Sequence, residues 1–124
     1  MPHLVLSGGF DAAKLVTEVA PGVHRWGRAI LKIEDTWVRK GAGALLVEGL
    51  VVEFSRPLHP VALLERRDQD SIVRLWSRVP AERTPAVQRW LAVVALELQR
   101  LGMGKILTTN ISSDVLTDME LVFE

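Results

Sequence analysis

Asp35 is the residue with the clearest chemical potential in this chain. It stands in a strand-like run whose alternate members include Ala29, Leu31, Ile33 and Trp37. A carboxylate among apolar neighbours is costly unless paired, and such groups concentrate at functional sites. Arg39 falls on the same side of the run and is the nearest candidate partner. Combined with His24 or His59, Asp35 would form an acid–base pair able to move protons, so these three are the candidate catalytic residues. The plainer reading is a local ion pair, or a break in the strand at Glu34–Asp35.

The other chemistry-bearing residues are scattered. His3, His24 and His59 have no partner at helical ligand spacing, so there is no local metal signature, and neither metal nor cofactor is expected. Ser7-Gly8-Gly9 follows a strand-like segment and precedes a helix-like one, the setting in which backbone N–H groups cradle a phosphate. It fits neither the dinucleotide nor the P-loop glycine pattern, and a tight turn explains it equally. No serine stands in a nucleophile elbow. Trp26, Trp37, Trp76 and Trp90 would line either a ligand cavity or the core. Trp37, Trp76 and Arg39 are the candidate ligand-binding residues.

Charge narrows the partners. The chain carries 15 basic and 15 acidic residues, net zero, with a pI of about 6.8. Arg66, Arg67, Arg74 and Arg78 are the candidate nucleic-acid contacts, but they are interleaved with Glu65, Asp68 and Asp70. Neither nucleic acid nor a membrane is therefore an expected partner. The chain contains no cysteine, which excludes disulfides and thiolate chemistry. Its longest apolar run, Trp90 to Leu96, is far short of the roughly 20 residues that span a bilayer. The opening residues lack the basic-then-apolar order of a signal peptide. Cytoplasm is the expected compartment.

The elements that must position these residues are legible from periodicity. His3 to Ser7 predicts a strand; Asp11 caps a helix carrying Ala12, Leu15, Val16 and Val19, ended by Pro21-Gly22. Arg28 to Lys40 alternates as a long strand, with Gly41-Ala42-Gly43 as its turn. The return strand, Ala44 to Phe54, keeps Glu48 and Glu53 on one face only if Gly49 sits in a bulge. Leu45, Val47, Leu50, Val52 and Phe54 would then point inward. Arg56 to Pro60 is a stiff connector. Two more strands, Val61 to Arg66 and Ile72 to Ser77, complete an antiparallel meander of four.

Thr84 and Pro85 open the most strongly marked element. Val87, Trp90, Leu91, Val94, Leu98 and Leu101 form one apolar stripe, and Gly102 supplies the stop. Ala92, Val93 and Leu96 lie off this stripe, among Gln88, Arg89, Gln99 and Arg100. A second apolar patch is covered either by more chain or by a partner. These three residues are therefore the candidate interface of a homodimer, the C-terminal residues being the other cover. Lys105 to Ile111 and Met119 to Phe123 read as further strands.

The expectation is one α+β domain over residues 1–124, with an antiparallel sheet in β-α-β4-α-β order and two helices on one face. That succession is similar to the β-α-β4-α arrangement of TATA-binding-protein-like folds and, more loosely, of helix-grip lipid and hormone binders. The likeness is one of element order and carries no function. The functional expectation is a non-catalytic binding or protein-interaction module, possessing room for a small-molecule ligand between sheet and helices. A small enzyme built on Asp35 is the alternative, and nucleic-acid binding the third reading.

Overall fold

The stripe on the long helix organises the core. In the computed structural model, which describes residues 1–41 and 43–124, this helix runs from Pro85 to Arg100 (α2). Its start follows from its cap: the Thr84 hydroxyl accepts the Val87 N–H at 3.2 Å, and Pro85 fills the first turn. Its end follows from Gly102, whose φ of 102° is cheap only for glycine. The N–H groups of Gly102 and Met103 close on the carbonyls of Gln99 and Leu98, a Schellman stop. Between the two ends, Val87, Trp90, Leu91, Val94 and Leu98 are buried.

In chain order the remaining elements are β1 (His3–Leu6), α1 (Ala12–Glu18), β2 (Gly22–Trp26), β3 (Ala29–Val38), β4 (Ala44–Glu53), β5 (Arg56–Leu58), β6 (Val61–Arg67) and β7 (Asp70–Leu75). After α2 come β8 (Ile106–Thr109) and α3 (Ser113–Leu116). Among the described residues the strands form one antiparallel sheet of order β2-β3-β4-β6-β7-β1-β8, with β5 on the end of β4. The fold is α+β. No helix among the described residues is long and apolar enough to cross a membrane.

The element order differs from the expected one in three strands and in the added helix α3. Gly22–Trp26, where no element is expected, is a strand, β2. Gly27 (φ 58°) turns it directly into β3, so the long strand begins at Ala29. Arg56–Leu58 is also a strand rather than a connector, joined to β4 by Phe54 and Ser55. Phe54 therefore does not point inward; it is 85% exposed at a hairpin tip. Met119–Phe123 forms no strand, only a single parallel bridge from Phe123 to Ile106. Ala42, central to the expected turn, lies outside the described residues.

The bulge sits in the other strand. Ile33 pairs with Gly49 and Thr36 with Val47, so β3 places two residues, Glu34 and Asp35, opposite Glu48 alone. β4 alternates without interruption: Leu45, Val47, Gly49 and Val51 are buried, while Leu50 and Val52 fall on the opposite side. Gly49 is glycine for a different reason. A Cβ there would overlap the indole of Trp90, whose N–H donates to the Lys32 carbonyl at 2.8 Å.

The inward side chains of the sheet, among them Leu4, Leu31, Val47, Leu64, Val73 and Ile106, form one apolar cluster. Leu15 of α1, Val115 of α3 and the stripe of α2 complete it. Phe10, Val16, Trp26 and Met119 pack at its margin.

Candidate functional site

Asp35 does not face the core. The bulge carries it to the surface, where its carboxylate accepts the N–H of Thr36 at 2.9 Å. Thr36 in turn donates its hydroxyl to the Val16 carbonyl at 3.1 Å, tying the bulge to α1. Arg39 makes no ion pair with Asp35. The buried acid expected from strict alternation is thus a surface acid serving its own backbone.

The histidines are apart. His24 is on β2, opposite Leu31, whereas His59 is exposed in the link between β5 and β6. β3 and β4 stand between those positions. His3 is on β1, its Nδ1 3.1 Å from the Met1 carbonyl oxygen. Among the described residues no group of His, Asp and Glu has metal-holding geometry.

The Ser7-Gly8-Gly9 loop is filled from within. The Gly8 N–H donates to the Asp70 carboxylate at 3.1 Å, and Ser71, fully buried, donates to the Gly8 carbonyl at 2.7 Å. The side chain of Asp70 holds the place of an anion. A Cβ on Gly9 would overlap the Arg66 guanidinium, so the second glycine admits a close approach by that side chain.

The four arginines do not make one surface. Arg66 and Arg67 are consecutive on β6 and alternate across the sheet. Arg74 forms a two-pronged bond to Glu65 at 2.7 and 3.1 Å. Arg78 lies beyond the end of β7.

The candidate interface on α2 is closed by the chain itself. Ala92 is fully buried, Val93 is 4% exposed, and both belong to the core cluster. Leu96 is half-buried and shares a cleft with Met119. The off-stripe patch is real, but the segment around α3 and Met119 covers it. It does not stand open to a second copy.

Two surfaces that the sequence reading does not single out carry more. The first is the other side of the sheet. Cross-strand pairing lays Trp37, Leu46, Leu63 and Arg74 in one row, with Ile72 and Val5 in the next. Ile30, Leu50, Val52 and Val61 continue the same side. None of these residues belongs to the core cluster; Trp37 is 53% exposed, most of the others are half-buried, and Leu63 and Val5 are buried. Trp76 follows Leu75 and by alternation looks the same way as Trp37, and it also lines a cleft of about 170 Å³ with Met1 and Pro80. The ladder of β3, β4, β6 and β7 reveals this side only once the bulge is correctly placed.

The second is a cleft of about 320 Å³ whose walls include His24, Arg25, Arg89, Leu96, Asp118 and Met119. Arg89 sits with its guanidinium carbon 5.4 Å from the centre of the Trp26 ring. Its Nη1 donates to the carbonyls of Val115 at 2.9 Å and Thr117 at 2.5 Å. Burial pushes this guanidinium below its usual pKa, and the Asp118 carboxylate partly offsets that.

No protein-family model, curated protein or solved structure matches the chain.

Proposed function

We propose that this chain is a non-catalytic interaction module that associates with a second copy of itself through the outward side of its sheet. The observation that carries this reading is Trp37, 53% exposed on the outward side, in register with half-buried Leu46 and buried Leu63, all three outside the core cluster. An exposed tryptophan over a largely apolar sheet face outside the core cluster supports an interaction site there. The reading takes both longer helices to pack on the opposite face.

The charges on this side favour a copy as the occupant. Arg74 and Glu65 neutralise each other, and Lys32, Arg39, Arg67 and Glu48 on the same side have no ion-pair partner among the described residues. Cations and an anion on the same face can pair reciprocally across a two-fold axis, as an isologous contact requires. A cytoplasmic homodimer is the form this reading expects.

Light scattering on the parent and on Trp37→Glu tests it. Trp37 is exposed in the single chain, so the substitution leaves folding intact while placing a charge in the centre of the contact. A dimeric parent and a folded monomeric variant are expected. A parent that stays monomeric at high micromolar concentration overturns the reading.

A further inference from the structure

Arg89 is a half-buried cation held in place by three neighbours, the Trp26 ring and the carbonyls of Val115 and Thr117. Both hydrogen bonds use Nη1. Nε and Nη2 donate to nothing among the described residues, and no carboxylate forms an ion pair with the guanidinium. A guanidinium already fixed, with donors to spare, is a preorganised receptor for a planar carboxylate. Asp118 only partly offsets the cost of burying this cation, and a bound anion beside the free Nε and Nη2 would relieve more of it.

The rest of the cleft narrows the ligand. Arg25 adds a second cation, and Asp118 and Glu120 add two anions. Arg100, also in the wall, is neutralised by Glu97 at 2.7 Å. The cleft is therefore balanced and carries both signs, which disfavours a phosphate dianion and suits a molecule that is itself balanced. Leu96 and Met119 supply an apolar wall. Asp118 is held at a φ of 62°, a sparsely populated conformation for a residue other than glycine and one that recurs at ligand clamps.

We propose that this cleft binds a small zwitterion with an apolar body, of the size and character of a free aliphatic amino acid. The Arg89 fork takes the carboxylate, Asp118 and Glu120 take the ammonium, and Leu96 and Met119 contact the apolar part. This site is separate from the outward side of the sheet and stands or falls independently of it.

Isothermal titration with leucine, N-acetylleucine, leucinamide and inorganic phosphate tests the assignment. Leucine binds saturably, and each of the other three binds at least roughly tenfold more weakly, because each lacks one of the two charges or the apolar body. Asp118→Asn, which tolerates a left-handed backbone, weakens leucine by about tenfold or more while remaining folded. Trp37→Glu binds leucine as the parent does, which separates this site from the self-association surface. Absence of saturable leucine binding overturns the proposal. So does N-acetylleucine binding as tightly as leucine, or an Asp118→Asn variant indistinguishable from the parent.

Discussion

The Trp90 indole lies against Gly49, and the two residues define one another. Trp90 is fully buried at the centre of the α2 stripe, and the space it fills is the side-chain position that Gly49 lacks. The indole N–H then reaches the Lys32 carbonyl at 2.8 Å, so the one polar atom of the ring is satisfied. Helix, β3 and β4 are locked together at this point.

Gly49→Ala is therefore expected to destabilise the protein by about 1–3 kcal/mol through overpacking. Trp90→Ala is expected to cost about 3–5 kcal/mol through cavity formation and the loss of its hydrogen bond. Because the two side chains share one space, the double variant should be less destabilised than the sum. Urea midpoints for the four proteins check this. Strict additivity would mean that the indole does not occupy the glycine's space.

The hairpin tip between β4 and β5 is strained. Phe54 and Ser55 adopt φ values of 53° and 61°, a left-handed pair normally given to asparagine and glycine. The double substitution Phe54→Asn with Ser55→Gly should stabilise the fold by roughly 1 kcal/mol. A melting temperature that does not rise would contradict the turn geometry.

Asp35→Ala should act on stability alone. The carboxylate holds the Thr36 N–H in the bulge, and losing such a bond costs about 0.5–1.5 kcal/mol. A denaturation midpoint equal to the parent's would show that the bulge closes without it.

Nucleic acid should bind weakly. Arg66 and Arg67 diverge across β6 and Arg74 is neutralised by Glu65, so no sign-pure surface forms. An anisotropy titration at physiological salt is expected to show no submicromolar, salt-sensitive binding to DNA or RNA. Finding it would require a basic surface elsewhere.

What the sequence discloses depends on how local the cause is. The caps of α2 are Thr84, Pro85 and Gly102, all within a turn of the helix ends, and both ends are readable from them. Asp11 does the same for α1, its carboxylate accepting the Lys14 N–H at 3.3 Å. Gly49 shows the opposite case. Its glycine answers to Trp90, far along the chain, and a reading of β4 alone turns that demand into a bulge. Placing the bulge in the wrong strand also misplaces Asp35 and Trp37, since one residue of slip exchanges the two sides of a strand. β2 escapes a reading by periodicity because its position opposite Leu31 is His24, which breaks the apolar alternation of an edge strand. The patch on α2 is visible in the sequence, but only the fold shows that Ala92 and Val93 are buried and that Val93 and Leu96 share a cleft with Met119.

The absence of cysteine makes the self-association surface directly measurable, because a single introduced thiol has no competitor. Val23 is 60% exposed and pairs with Lys32 at the margin of the outward side, whereas Lys14 projects from α1. Spin labels on Val23→Cys and, separately, on Lys14→Cys give the distances between copies by pulsed dipolar spectroscopy. A defined, short distance between the Val23 labels, and a longer or absent one between the Lys14 labels, is the predicted result. No dipolar coupling between Val23 labels, or a shorter distance at Lys14 than at Val23, would contradict association through this side of the sheet.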